Sequence, residues 1–308
     1  MTTTYFADHA LLPEGVRSSV RIDVADGLIR SVEAGVAQGA SDDAIKGLVL
    51  PGMANVHSHA FQRAMAGLAE WDAGGRDNFW SWREAMYRFA ERLDPDAQLA
   101  IARFLYIEML KAGYTSVGEF HYLHNQPGGA AYAPATAMAD AIAAAARDSG
   151  IALTLMPTLY VTGGADGRPL SERQKRFGKT VDELLALRAA MQGKAGVAQT
   201  GLALHSLRAV PPALMRAAIE GVDTETPIHL HAAEQTGEID EALTAFKRRP
   251  VDYLLSEFPV DRRWCFVHAT HMNTHETRAL AESGAVAGLC PTTEANLGDG
   301  IFRLTEFL

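Results

Sequence analysis

Two histidines one residue apart end the stretch Val49-Leu50-Pro51-Gly52-Met53-Ala54-Asn55-Val56-His57-Ser58-His59. In an extended chain alternate side chains share a face, so His57 and His59 point the same way and can grip one metal ion. Neutral imidazole is the commonest metal-binding side chain, and zinc takes nitrogen donors at about 2.0–2.1 Å. A second pair lies in Ile228-His229-Leu230-His231-Ala232-Ala233-Glu234-Gln235, and His231, nearer the end of its apolar run, is the better ligand of the two. Glu234, three residues on, is placed to take a proton from a water at that ion and hand it to a leaving amine. His268, in Phe266-Val267-His268-Ala269-Thr270-His271, adds an imidazole that can orient the water or stabilise developing charge. No lysine ends the apolar run before His205 to bridge a second metal, so a single ion is expected.

These residues need a scaffold that brings distant segments together. Apolar strand-like runs occur at 47–56, 114–120, 151–160, 197–205, 227–231, 264–269 and 285–290. Helical spacing separates them, at 96–111, 135–147, 181–191, 212–220, 239–257 and 275–283. Near-continuous apolar strands alternating with helices indicate an α/β fold with a parallel sheet covered by helices. The chemistry-bearing residues fall at the C-terminal ends of the runs. His57 and His59 close the first, Glu119, His121 and Tyr122 the second, His205 the fourth, His231 and Glu234 the fifth, and His268 and His271 the sixth. In a (β/α)8 barrel of the TIM type that end is the active-site face, whereas a doubly wound sheet gathers its site at one switch point. The expected architecture is therefore such a barrel over residues 49–308, with seven strands in this chain. Residues 1–48 are expected to form a small β domain, in which 19–24 and 28–32 alternate around a turn at 25–27 as a hairpin.

The 308 residues carry a net charge of −9, which argues against nucleic acid or an anionic membrane surface as partner. No apolar run reaches the ~18 residues of a membrane span, and the N-terminus shows no signal-peptide pattern. Cys265 and Cys290 read as two reduced core thiols of a cytoplasmic protein. The expected partner is a small molecule, and a homodimer is compatible with the composition.

Six segments carry a family resemblance. They are His57-Ser58-His59-Ala60-Phe61-Gln62-Arg63-Ala64-Met65-Ala66-Gly67, Gly118-Glu119-Phe120-His121-Tyr122, Leu204-His205-Ser206-Leu207-Arg208-Ala209, His229 to Gln235, Val267 to His271, and Cys290-Pro291-Thr292-Thr293-Glu294-Ala295-Asn296-Leu297-Gly298-Asp299-Gly300. In them the chain resembles the amidohydrolase superfamily, mononuclear zinc branch, and more closely the formimidoylglutamate deiminases of histidine degradation. The likeness runs over essentially the whole chain. It implies hydrolysis of N-formimidoyl-L-glutamate to N-formyl-L-glutamate and ammonia at one zinc ion or a similar divalent metal. It also implies His57, His59 and His231 as metal ligands and Glu234 and His268 as catalytic groups. Gln62, Arg83, Tyr122, His205 and Arg208 would contact the substrate. That substrate has two carboxylates, which arginine captures in bidentate fashion. Arg83 and Arg208 are read on loops after the first and fourth strands, with Arg208, three residues past His205, the stronger candidate.

One departure stands out. The superfamily takes a fourth metal ligand and a base from an aspartate ending the eighth strand, but this sequence reaches Leu308 just past its seventh run. Asp299 belongs to another family segment and is not expected to replace that aspartate. The expectation is a chain lacking its C-terminal part, with an open barrel, exposed strand edges and little activity. Two alternatives remain open on the residues. One is a nucleobase or nucleoside deaminase of the same superfamily, which would want stacking aromatics and an amide reading a ring edge rather than two arginines. The other is a catalytically inactive fragment.

Overall fold

A computed structural model describes residues 2–69 and 79–308. The chain divides into two compact units, Met1–Met53 and Ala54–Leu308.

The first unit is a four-stranded sheet of β1 (Thr2–Leu12), β2 (Gly15–Ala25), β3 (Leu28–Glu33) and β4 (Asp43–Val49), in the order β3-β2-β1-β4. β1 and β2 are antiparallel, as are β2 and β3, and β4 runs parallel to β1. Asp26 and Gly27 both take positive φ, 54° and 76°, between Ala25 and Leu28, which pair across the turn. Two consecutive left-handed residues match the twist of the flanking strands, and Asp-Gly is a dipeptide that tolerates them. Alternation had placed this hairpin correctly but left out β1.

The run 47–56 does not form one strand. β4 ends at Val49 within the small sheet, and β5 (Met53–Ser58) begins the second unit's sheet. Pro51, between them, has no N–H to give to a ladder, so an uninterrupted strand is not available.

The second unit alternates strand and helix. Its strands are β5, β6 (Tyr114–His121), β7 (Ala152–Leu159), β8 (Gln199–Thr200), β9 (Leu202–Leu204), β10 (Ile228–Ala232), β11 (Trp264–His268) and β12 (Val286–Gly288). Helices α1 (Phe79–Ala90) and α2 (Pro95–Lys111) follow β5. α3 (Ala137–Ser149), α4 (Val181–Met191), α5 (Pro212–Glu220), α6 (Thr236–Phe246), α7 (Pro250–Glu257), α8 (Thr274–Glu282), α9 (Pro291–Leu297) and α10 (Leu304–Phe307) come after. The strands form a nearly closed parallel barrel in the order β5-β6-β7-β9-β10-β11-β12, with the short β8 beside β7. Among the described residues no strand joins β12 to β5.

Local sequence explains several boundaries. The Asp94 side chain accepts the Ala97 N–H at the start of α2, with Pro95 at the first helical position. Thr180 with Glu183 opens α4, and Asn273 with Glu276 opens α8, each as a reciprocal capping box. Gly118 in β6 is needed for close approach, because a Cβ there would lie 2.8 Å from the Val56 carbonyl oxygen. Phe120, Met156, Leu204, Leu230 and Phe266 are buried in one core cluster, and Ala139, Ala143, Ala145 and Ala146 of α3 belong to a second with Ala102 and Tyr106 of α2.

Two helix expectations need correction. The pattern at 239–257 is split into α6 and α7, with Lys247 left-handed (φ 59°) and Pro250 opening the second piece. A proline ring inside one continuous helix would clash with the preceding turn. The loop expected to carry Arg83 after the first strand is helical from Phe79 onward, as α1. Arg83 therefore sits on a helix, where Trp82, Met86 and Ala90 recur at i, i+4 and i+8 on one side.

Candidate active site

One cavity at the C-terminal ends of the barrel strands is lined by the ten residues the resemblance implies for the site, His57, His59, Gln62, Arg83, Tyr122, His205, Arg208, His231, Glu234 and His268, whereas Glu119, His121 and His271, also read at strand ends, do not line it. The ends of β5, β10 and β11, the segments that follow β5, β6, β9 and β10, and α1 carry them there. Regular geometry breaks down at this rim. Ala233, His268 and Ala269 have φ of 53°, 67° and 51°. Left-handed conformations at non-glycine residues cost energy and persist where the surroundings hold them, typically at functional sites.

The deepest feature is a triangle of ring nitrogens. His57 Nε2 lies 3.0 Å from His59 Nε2, and His231 Nε2 lies 3.2 Å from each of them. Backbone carbonyls set the tautomers of two of the three rings. His59 Nδ1 donates to the Phe120 carbonyl at 2.9 Å and His231 Nδ1 to the His205 carbonyl at 3.0 Å. A neutral imidazole carries one N–H, so both Nε2 atoms are bare lone pairs. They face each other, which is repulsive unless a cation, or a proton from His57, whose Nδ1 has no partner of its own, lies between them. Burial holds all three rings below the ordinary histidine pKa, His59 at about 4, so protonation does not relieve the contact. Tetrahedral zinc with 2.0–2.1 Å bonds separates its nitrogens by about 3.3–3.4 Å, close to this triangle. The donor set fits a divalent ion of that kind.

Glu119 supports the triangle from below. Its carboxylate accepts the Ala60 N–H at 2.6 Å and the Tyr106 hydroxyl at 3.3 Å, and burial pushes its pKa up to about 7. The hydrogen bonds of Glu119 and Asn55, whose side chain accepts the His57 N–H at 3.1 Å, fix the turn between the first two histidines.

Beside the triangle stands a contrasting histidine. His268 is buried, yet carboxylates surround it: Nε2 lies 3.5 Å from Glu234 Oε1, and Nδ1 lies 3.2 Å from Glu294 Oε1. Burial alone would lower its pKa, but the charge of Glu234 and the hydrogen bond to Glu294 outweigh it and the net shift is upward. Glu234 is itself aimed by α6, because its N–H donates to Glu238 at 3.0 Å.

The opposite wall carries two arginines, with glutamates of α6 close to one of them. Arg208 is hydrogen-bonded to Tyr160, while its Nη1 is buried with no partner among the described residues. Arg83 Nε donates to the Tyr87 hydroxyl at 3.0 Å, and Gln62 Nε2 donates to the Tyr122 hydroxyl at 2.9 Å. His205 packs edge-on to Tyr160 at a centroid distance of 4.5 Å.

Sequence reasoning missed the acidic residues of this wall. Glu238 and Glu241 line the cavity from α6, and burial pushes Glu238 up to about 7. Glu238 follows Glu234 by four residues at the start of α6, a spacing that could have flagged it. Glu294 and Asp299 also reach the site. Asp299 is buried near Glu234 and His268, takes a hydrogen bond from Gln235, and is pushed up to about 7, first by burial and then by the Glu234 charge. It stands apart from the triangle, whose group is His57, His59 and His231 alone. Cys290, expected in the core, instead precedes α9 and lines the cavity, because β12 ends at Gly288. Cys265 is buried, and both thiols are free.

Histidines on barrel strand ends with an acid three residues beyond the third of them form a donor set and a base suited to metal-assisted hydrolysis. Residues 48–308 match the model of the amidohydrolase family, and residues 2–45 match that of the formimidoylglutamate deiminase HutF N-terminal domain. The chain belongs to the amidohydrolase family, in its formimidoylglutamate deiminase branch. It is 48% identical to the formimidoylglutamate deiminase of Pseudomonas aeruginosa over 98% of this chain and 67% of that protein. It is 29% identical to the 8-oxoguanine deaminase of the same species over 86% of this chain, covering 58% of that one. The structure of an amidohydrolase from Brucella melitensis superposes with a TM-score of 0.94 at 46% identity, over 99% of this chain and 68% of that one. The chain thus spans about two thirds of the first of these relatives and less of the second.

Proposed function

We propose that this chain carries the active site of a zinc-dependent deiminase that hydrolyses N-formimidoyl-L-glutamate to N-formyl-L-glutamate and ammonia in histidine degradation. The observation that carries the reading is the triangle of His57, His59 and His231, with two bare nitrogens facing each other beneath a wall holding Arg208 and Arg83. His57, His59 and His231 would hold a divalent ion, which would supply Lewis acidity and lower the pKa of water there. The chain's own groups do the rest. Arg208 and Arg83 bind the two carboxylates of the substrate, and Gln62, Tyr122 and His205 orient it. Glu234 takes a proton from the attacking water and passes it to the departing nitrogen. His268, kept proton-rich by Glu234 and Glu294, stabilises charge that builds on the reacting carbon's substituents. Free thiols at Cys265 and Cys290 fit a reducing cytoplasm, and no helix among the described residues is long and apolar enough to cross a membrane.

The test is ammonia release from N-formimidoyl-L-glutamate by the chain as the cell makes it, against 8-oxoguanine, guanine and cytosine under the same conditions. Preference for the dicarboxylate is expected. A preference for a nucleobase would move the assignment to the second reading, which the 29% identity to 8-oxoguanine deaminase and the aromatic wall of Tyr122, Tyr160 and Phe177 favour.

A further inference from the structure

We propose that Glu294 is a positioning residue for His268, its carboxylate holding the imidazole with Nδ1–H toward α9 and Nε2 toward Glu234 and the cavity. A neutral imidazole has two tautomers, and a carboxylate at one nitrogen selects the form that carries its proton there. The inference rests on the functional reading above only in treating His268 as a group that acts on the substrate.

The geometry is specific. The Glu294 oxygen 3.2 Å from His268 Nδ1 also accepts the Cys290 N–H at 2.8 Å, so it is held from two sides. The side chains of His268 and Glu294 are only 5% and 8% exposed, which leaves little room for solvent to take over either contact. His268 and the residue after it are left-handed, so strand geometry alone does not set the direction of the ring. The ring must be aimed by what it touches. Glu294 comes from a segment twenty-six residues downstream and anchors the ring from behind. A third group that orients a histidine and stabilises its charged form is the logic of catalytic triads.

His268, Cys290 and Glu294 also bring their ligating atoms within 4.8 Å of one another, which raises the question of a second metal. Two facts favour the dyad. Burial and the neighbouring carboxylates push the Cys290 thiol up to about 12, so at neutral pH it keeps its proton. Nδ1 of His268 is already engaged with Glu294. Glu294, for its part, would be raised by burial, but the hydrogen bond from His268 and the Cys290 N–H bring it below the usual carboxylate range.

The experiment has two readouts. Long-range proton–nitrogen NMR on chain labelled at histidine nitrogens reports the tautomer of His268, whose signals are identified by their loss in His268→Gln. The Nδ1–H form is expected in the wild type and in Glu294→Gln, whose amide oxygen still accepts, and a mixture or the Nε2–H form in Glu294→Ala. The other histidine signals report folding, and if Glu294→Ala fails to fold, Glu294→Asp, with its carboxylate withdrawn, takes its place. In parallel, kcat for ammonia release should fall about 10–100-fold in Glu294→Ala, the range seen when a partner behind an active-site histidine is removed. KM should stay within about twofold, and Glu294→Gln should retain most of the turnover. An unchanged His268 tautomer in the alanine or aspartate variant overturns the proposal, as does a loss confined to KM. If the wild type releases no ammonia from N-formimidoyl-L-glutamate, the functional reading has failed, and the tautomer comparison still decides the role of Glu294.

Discussion

The triangle of His57, His59 and His231 and the neighbouring His268 share one cavity, yet their surroundings give them opposite proton affinities. The triangle is packed among other imidazoles and backbone carbonyls. Burial dominates there and holds the proton affinities down, with the lone pairs of His59 and His231 turned inward. His268 is equally deep but sits between the carboxylates Glu234 and Glu294, and its shift is upward. Burial always opposes the imidazolium, and only nearby negative charge reverses the outcome. One residue type is thus held below its ordinary proton affinity where imidazole nitrogens converge, and shifted toward its protonated form where carboxylates flank it.

The largest effect should come from breaking the triangle. In His57→Ala/His59→Ala, metal content measured on purified protein is expected to drop from about one ion per chain to none, and ammonia release should vanish with it. Equal metal in both proteins would remove the triangle from consideration as a metal site. On the acid side of the comparison, Glu234→Gln should keep the metal and lose kcat by about 10²–10⁴-fold, the usual contribution of a general acid/base. A variant that loses both together would mean that Glu234 belongs to the metal site.

Substrate capture should be a smaller and separable term. Arg208→Met removes a charge-assisted hydrogen bond worth roughly 1.5–3 kcal/mol. The rise expected in KM for N-formimidoyl-L-glutamate is about 10- to 150-fold, and steady-state kinetics would show it with kcat changed far less. An unchanged KM would leave the buried, unpartnered Nη1 of Arg208 without a functional explanation.

The smallest effect concerns stability and its dependence on pH. His124, whose Nε2 donates to the Thr158 carbonyl, is lowered to about 3 by burial, and His121 is lowered well below its ordinary value for the same reason. Between those values and the unfolded pKa of about 6.5, the unfolded chain binds more protons than the folded one. Stability is therefore fully present above about 6.5 and lost as pH falls below it. His268 has the opposite sign, its contribution being present below about 6.5 and lost as pH rises through its elevated folded value. Urea midpoints should drop between about pH 7 and pH 5, and His124→Gln should show a shallower drop. Parallel curves would indicate that His124 takes up its proton in the folded state.

The barrel's alternation of apolar runs and helical spacing was legible because each run carries its own period and its own punctuation. The strand-end histidines were legible for the same reason, being short-range patterns such as His57-Ser58-His59. Glu294 and Asp299 were not. They follow the seventh run in a segment whose chemistry depends on folding back toward His268, twenty-six and thirty-one residues earlier. α1 was missed because its aromatic-rich start reads as loop, and the break at Pro250 was missed because apolar spacing continues across it.

The sequence by itself determined which residues could bind a metal, which could move a proton, and that strands and helices alternate along the barrel, since these follow from side-chain chemistry and local periodicity. Only the tertiary structure decided that His59 and His231, 172 residues apart, turn bare nitrogens toward each other. It alone decided, too, that His268 keeps the company of two carboxylates. The physical reason is that proton affinity and ligand geometry depend on burial and on neighbours a few ångströms away, and the fold supplies those neighbours from distant parts of the chain.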